Sequence, residues 1–284
     1  MLYVTRRRFA DEPISRLAMW SRRLALYAIA VVLLAIVIVN LGFLDPVPAI
    51  ATLAGALFFA FAAILLAFGG FVVIWRHGSR GLGLAVSALA IGLAMLAYPG
   101  FLAYRFYRLP PINDITTDMA DPPRFEAVSR LRPRGANPLA YPGPEVAAQQ
   151  RRAYADIEPL IVSVSPQEAY DAALAVMTKR KWRVIETRAP QAGRREGRIE
   201  AVARTPIMGF RDDVVVRIRP DEDGARIDVR SASRYGRHDF GANASRIRSL
   251  VSDIDDVAGA EKPKKPAPRP QKAPEPKKGQ PTRR

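Results

Sequence analysis

The sequence predicts three N-terminal transmembrane α-helices, an α+β domain built on an antiparallel sheet with helices on one face, and a disordered Lys/Pro-rich tail. Three observations lead there. Uncharged apolar runs occupy residues 24–44, 49–74 and 82–104. Apolar and polar residues alternate with period two in four stretches between positions 182 and 231. The segment 259–284 is dominated by proline and basic residues, and has too few apolar groups to build a core.

The chain has 284 residues and no cysteine, which excludes a disulfide scaffold, a cysteine-ligated metal and a thiol nucleophile. Its net charge of +16 is unevenly spread. Residues 1–110 carry +7, residues 111–260 only +2, and residues 261–284 another +7. A nucleic-acid binder needs an uncompensated basic face with stacking aromatics, and the near-neutral middle segment does not offer one. The basic excess lies beside apolar spans and in the tail, which suits membrane orientation and contact with an anionic surface.

Each apolar run is long enough to cross a hydrocarbon core of roughly 30 Å at about 1.5 Å per residue. The first run is too long for a signal-peptide core and lacks a small-residue cleavage site, so it reads as an uncleaved anchor. Arginine distribution gives the orientation. Arg6, Arg7, Arg8, Arg16, Arg22 and Arg23 precede the first span, and Arg76 and Arg80 lie in the second connection, whereas the first connection has no basic residue. Residues 1–23 are therefore expected in the cytoplasm, residues 24–104 in the bilayer, and everything beyond on the far side. In a bacterial inner membrane this is a multi-pass protein with a periplasmic C-terminal domain. Glycines at 69, 70, 81, 83 and 92 would let the helices approach closely. No acidic or basic residue lies inside a span, which disfavours a transport path.

Residues 105–158 are rich in proline and turn signals and are expected to be irregular, with one short helix near 145–154. The ordered core is expected over 159–258. Residues 160–164 read as a strand. Ser165, Pro166 and Glu168 then form a capping box that starts a helix running to about Arg180. Strands follow over 182–187, 198–205, 214–219 and 225–231, with a hairpin turn at 221–224. Ile247, Leu250, Val251 and Ile254 lie on one stripe of a closing helix over 242–257. The alternating arginines and aspartates of the last two strands are expected to form exposed cross-strand pairs, each worth only a fraction of a kcal/mol.

Three stretches carry a family resemblance: 113–118 (NDITTD), 210–217 (FRDDVVVR) and 228–243 (DVRSASRYGRHDFGAN). Over roughly residues 110–257 the chain resembles the DUF1499 family, bacterial proteins often preceded by membrane spans. The resemblance implies a shared domain and carries over no reaction.

Function-capable side chains are densest between positions 230 and 248. Arg230, Ser233, Arg234, Arg237 and Asn243 are candidate anion-binding residues, because guanidinium groups beside a helix N-terminus suit a phosphate or carboxylate. Asp212, Asp213 and Asp239 are candidate acids, either of that site or of the framework. In the structural alternative, Asp239 or Asn243 caps the last helix while Asp212 and Asp213 pair with Arg230 and Arg234. Ser231 or Ser233 with His238 and Asp239 supplies the residue types of a hydrolase, without a nucleophile-elbow pattern. His77 and His238 fall on opposite sides of the predicted membrane, so no metal site or cofactor is implied. The leading expectation is a non-catalytic binding or envelope-assembly module. Its partners would be the lipid bilayer and envelope proteins or an anionic envelope polymer, not nucleic acid. The alternative is a small-anion receptor or hydrolase using the 230–248 loop.

Overall fold

The computed structural model describes residues 12–191 and 196–260; residues 261–284 of the predicted tail and Arg6, Arg7 and Arg8 lie outside the described residues, while Gly259 and Ala260 end the last helix. Three helices come first: α1 (Arg16–Asn40), α2 (Pro46–His77) and α3 (Leu82–Arg108). All three are long and apolar enough to cross a membrane. The Ser15 hydroxyl accepts the Ala18 N–H at 3.4 Å to start α1. Pro46 occupies the first turn of α2, where its missing N–H costs nothing, and Gly78 ends that helix in the left-handed region. The first helix extends two turns ahead of its apolar run and ends at Asn40 rather than Leu44, because the chain turns at Gly42 with φ +82°.

Small side chains hold the three helices together. Ala18, Ala25, Ala63, Ala67, Ala85 and Ala88 form the centre of the bundle. A β-carbon at Gly70 would sit 3.1 Å from the Ala18 backbone nitrogen, and one at Gly92 only 2.5 Å from Cγ1 of Ile64. Gly83 faces open space. The ends of the bundle are also distinct. The Ser15 N–H donates to Arg80 O at 2.9 Å, joining the start of α1 to the α2–α3 connection. At the other end, Asn40 Nδ2 donates to Ile207 O at 3.3 Å, which places the α1–α2 connection beside the domain that follows α3.

That domain contains β1 (Asp114–Thr116), a 3₁₀ turn at Ala127–Leu131, α4 (Pro144–Ala153), β2 (Leu160–Val162) and α5 (Pro166–Lys179). β3 (Arg183–Arg188), β4 (Gly197–Arg204), β5 (Arg211–Asp221), β6 (Gly224–Ser233) and α6 (Ala242–Ala260) complete it. The sheet runs β1-β6-β5-β4-β3, and β2 joins the same edge of β6 further along. Every pairing is antiparallel. The capping box of α5 has both of its hydrogen bonds, Glu168 N–H to Ser165 Oγ and Ser165 N–H to Glu168 Oε2.

α5 and α6 cover one face of the sheet. Ile199, Val214, Val216, Ile218, Ile227 and Val229 point into them and meet Ala173, Met177, Ile247, Leu250 and Ile254. The opposite face departs from the expectation of exposed cross-strand pairs. Arg198, Glu200, Asp213, Arg217, Asp228, Arg230 and Arg234 alternate with the core residues as foreseen, yet all are buried. The segment 113–141 lies across them, its Phe125 and Val128 packing on Val202, Val215 and Ala232. Proline-rich sequence here signals an extended cover rather than an unstructured linker. It contributes β1 and the 3₁₀ turn, neither of which the sequence pattern indicated.

Gly92→Val should destabilise the detergent-solubilised protein by about 1–3 kcal/mol through overpacking against Ile64, whereas Gly83→Val should leave thermal unfolding unchanged. A melting series on both variants checks this contact.

Candidate functional site at the junction of helices and domain

The charged face of the sheet is built from complementary pairs. Arg230 donates from Nε and Nη2 to both carboxylate oxygens of Asp114 at 2.9 and 2.6 Å. It also donates to Pro123 O and Leu139 O, and its guanidinium stacks over Phe125 and Tyr141. Arg234 binds Asp213 Oδ1 at 3.0 and 2.6 Å while Arg132 binds Asp213 Oδ2 at 2.7 Å. Glu200 accepts the N–H groups of Glu126 and Val128 at 2.7 and 3.0 Å and so anchors the 3₁₀ turn. Arg217, Arg219 and Arg226 converge on Asp118 and Asp228. Burial works against the Asp118 carboxylate. The backbone N–H groups of Asp121 and Ala120 and the guanidiniums of Arg226 and Arg217 together outweigh it, holding the carboxyl below the usual aspartate range. Burial pushes the Tyr141 hydroxyl up to about 12.

The loop after β6 is equally tied down. Asn243 Nδ2 donates to Asn113 O and to Ser233 Oγ, and its Oδ1 accepts from Ser231 Oγ and from Arg246. Arg246 also binds Asp212 at 2.5 Å. Asp239 accepts the N–H groups of Gly241 and Asn243 at 2.7 and 2.8 Å, which caps α6. Two of the anticipated pairings therefore exchange partners: Asp212 takes Arg246, and Arg230 takes Asp114, an acid of the covering segment. Arg237 alone among the candidate anion-binding residues is exposed. His238 Nδ1 accepts the Phe240 N–H at 2.8 Å, and its Nε2 faces Leu109 O at 3.2 Å, which assigns the proton to Nε2. Neither Ser231 nor Ser233 hydrogen-bonds to this imidazole.

His238 instead docks the loop on the helical stem. Its ring stacks on Phe106 with centroids 5.1 Å apart and lies 4.8 Å from Phe240. Phe240 and Gly241 both have positive φ, at 53° and 75°. At Gly241 the positive φ favours glycine, and a β-carbon there would also press on the side-chain ends of Leu109 at 2.9 Å and Arg105 at 3.0 Å.

Beside this contact lies a cavity of about 670 Å³. Val47, Ile50, Phe101 and Leu102 from α2 and α3, with Pro206, Ile207 and Met208 from the β4–β5 connection, form an apolar wall. Arg105, Arg211, Asp212, Ser233, His238 and Asp239 form the polar one. Burial raises the carboxyl pKa values of Asp212 and Asp239, only partly offset by Arg246 at the first and by the Asn243 and Gly241 N–H groups at the second. Of the sequence candidates, the cavity gathers Ser233, Asp212 and Asp239, and leaves Arg230, Arg234, Arg237, Asn243 and Asp213 outside. Its apolar half was not among the sequence candidates, because Ile50 and Phe101 read as ordinary span residues.

A six-stranded antiparallel sheet with helices on one face, an ion-paired layer on the other, and a stem of three long apolar helices defines the class of protein. Residues 114–254 match the family described as protein of unknown function (DUF1499), and the α+β domain belongs to that family. No curated protein matches the chain.

Removing one partner of the Arg230–Asp114 pair leaves a buried charge uncompensated. Arg230→Met should therefore cost about 3–5 kcal/mol, read as a loss of unfolding midpoint in denaturant. Asp118 should supply an acid-sensitive part of the stability. Its folded pKa lies below the unfolded value of about 3.9, so its contribution is complete above that value and fades as the pH falls through the folded one. Asp118→Asn should lower the melting temperature at pH 7 and flatten its decline between pH 5 and pH 2.

Proposed function

We propose that this protein is a non-catalytic binding module of the bacterial envelope. Its three helices anchor it in the inner membrane with the N-terminus cytoplasmic, and its DUF1499 domain stands on the periplasmic side. The junction cavity holds the apolar portion of a lipid-like amphiphile, whose polar end meets Arg105 and the 233–239 loop. The observation that carries this reading is the cavity's two-sided wall, apolar where α2 begins and α3 ends and polar where the domain begins. Location supports it as well. The cavity lies at the bundle end occupied by the first connection, which has no basic residue, opposite the end where the start of α1 meets Arg80.

A non-catalytic role is favoured over hydrolysis by the hydrogen bonds of the candidate groups. Both serine hydroxyls serve Asn243, and Asp239 serves backbone N–H groups at the start of α6. A partner among envelope proteins or anionic envelope polymers is compatible with the exposed Arg237 and the basic tail.

Two measurements test the proposal. The chain has no cysteine, so Asp223→Cys, in the exposed β5–β6 turn, gives a single labelling site. A maleimide that enters the periplasm but does not cross the inner membrane should label it in intact cells. Labelling only after the inner membrane is opened would overturn the orientation. Native mass spectrometry of the gently extracted protein should show a retained lipid that Ile50→Trp displaces. An adduct-free wild-type protein would overturn the amphiphile site.

A further inference from the structure

Under the covering segment each basic side chain of the charged sheet face has an acidic partner. The cover's 3₁₀ turn ends at Leu131, and beyond it the same face continues without acids. There a second cleft, of about 340 Å³, is lined by Arg180, Lys181, Trp182, Arg183, Arg204, Arg211 and Arg234, with Leu131 and Val202 as its apolar floor. Arg180 is already paired with Asp253, and Arg234 with Asp213. Among the described residues no acid pairs with Lys181, Arg183, Arg204 or Arg211.

Two features make this concentration unfavourable for the empty fold. Arg204 and Arg211 are direct cross-strand partners at the end of β4 and β5 where the 205–210 connection joins them, a like-charge pairing that destabilises a sheet unless an anion lies between. Lys181 sits just past α5 with φ 57°, the left-handed position where a helix ordinarily takes glycine. Its N–H and that of Trp182 close the helix end on Thr178 O and Met177 O, so the backbone there is fixed. A lysine held in that conformation is costlier than glycine and supplies only its charge to the fold's surroundings.

We propose that Lys181, Arg183, Arg204 and Arg211 form a binding site for a phosphate group. Guanidinium forks match phosphate oxygens two at a time, and the lysine adds a point charge. Trp182 and Val202 leave room for a small organic substituent on the phosphate. The site is distinct from the junction cavity and shares with it only Arg211. It stands whether or not that cavity holds a lipid.

The test uses the full chain in a neutral detergent and in nanodiscs of phosphatidylcholine. Inorganic phosphate and glycerol phosphate are titrated by calorimetry at constant ionic strength, with acetate as control. In a parallel arm, nanodiscs of phosphatidylglycerol are compared with those of phosphatidylcholine by thermal shift. Saturable binding of the soluble phosphates identifies a free phosphate ester as the source. Stabilisation by phosphatidylglycerol alone identifies a lipid headgroup. In either case the double variant Arg204→Gln/Arg211→Gln should weaken the effect at least tenfold. Lys181→Gly should weaken it several-fold while raising the ligand-free melting temperature, a combination that a purely structural lysine would not give. The proposal is overturned if neither arm shows an effect, if acetate matches phosphate, or if both variants respond like the wild type. Ile50→Trp should leave phosphate binding intact, which separates this site from the junction cavity.

Discussion

The buried pairing of Asp114 with Arg230 is the constraint around which the domain is organised. A sheet of alternating residues ordinarily keeps one face in water. Here both faces are covered, one by apolar helices and the other by a peptide segment laid over arginines and acids. Such an arrangement is tolerable only if each charge meets its counterpart and the leftover N–H groups find carbonyls. Arg230 satisfies this with two carboxylate oxygens, two carbonyl oxygens and two aromatic faces. Glu200 does so with two N–H groups of the cover. Register is thereby specified on both faces. Sliding the cover by one residue would strand several charges in a medium without water, whereas an apolar cover could slide at little penalty.

The same cover determines where binding surfaces can exist. It pairs the arginines beneath it, with Arg230 bound to Asp114 and Arg234 to Asp213. Chemistry is displaced to the margins. At one margin the loop after β6 meets the helical stem through His238, Phe106 and Gly241, and the mismatch between apolar helix ends and polar loop leaves the junction cavity. At the other margin the cover stops short, and the basic residues past Leu131 keep their charge.

Local signals were legible in the sequence wherever one segment carried the whole message. The three apolar runs, the Ser165–Glu168 capping box, the turn at 221–224 and the stripe of the last helix all correspond to elements of the structure. Signals spread over distant segments were not. Alternation of Arg217 with Val216 looks the same whether the polar face meets water or a peptide cover, because period two reports direction and not exposure. Asp114 was read as part of a family motif, and nothing local to it names Arg230 as its partner. The junction cavity draws on α2, α3, the β4–β5 connection, β5, the end of β6 and the loop after it, and the basic cleft on positions as far apart as 181 and 211. Side chains at such separations become neighbours only once the strand order is known.

The direction of synthesis gives the cover a further consequence. Asp114 lies 116 residues ahead of Arg230, and Asp121 lies 96 ahead of Arg217. The acids therefore leave the ribosome long before the guanidiniums that neutralise them, with the central hairpin last among the strands. Long loops of this kind must be closed before the contacts that reward closure can form, which slows folding. Until β6 is made, β1 and β2 have no strand to pair with, and only β3, β4 and β5 can be joined. A chain interrupted before residue 230 would lack the arginine that locks the cover, leaving a half-made sheet with its charged side bare to proteolysis.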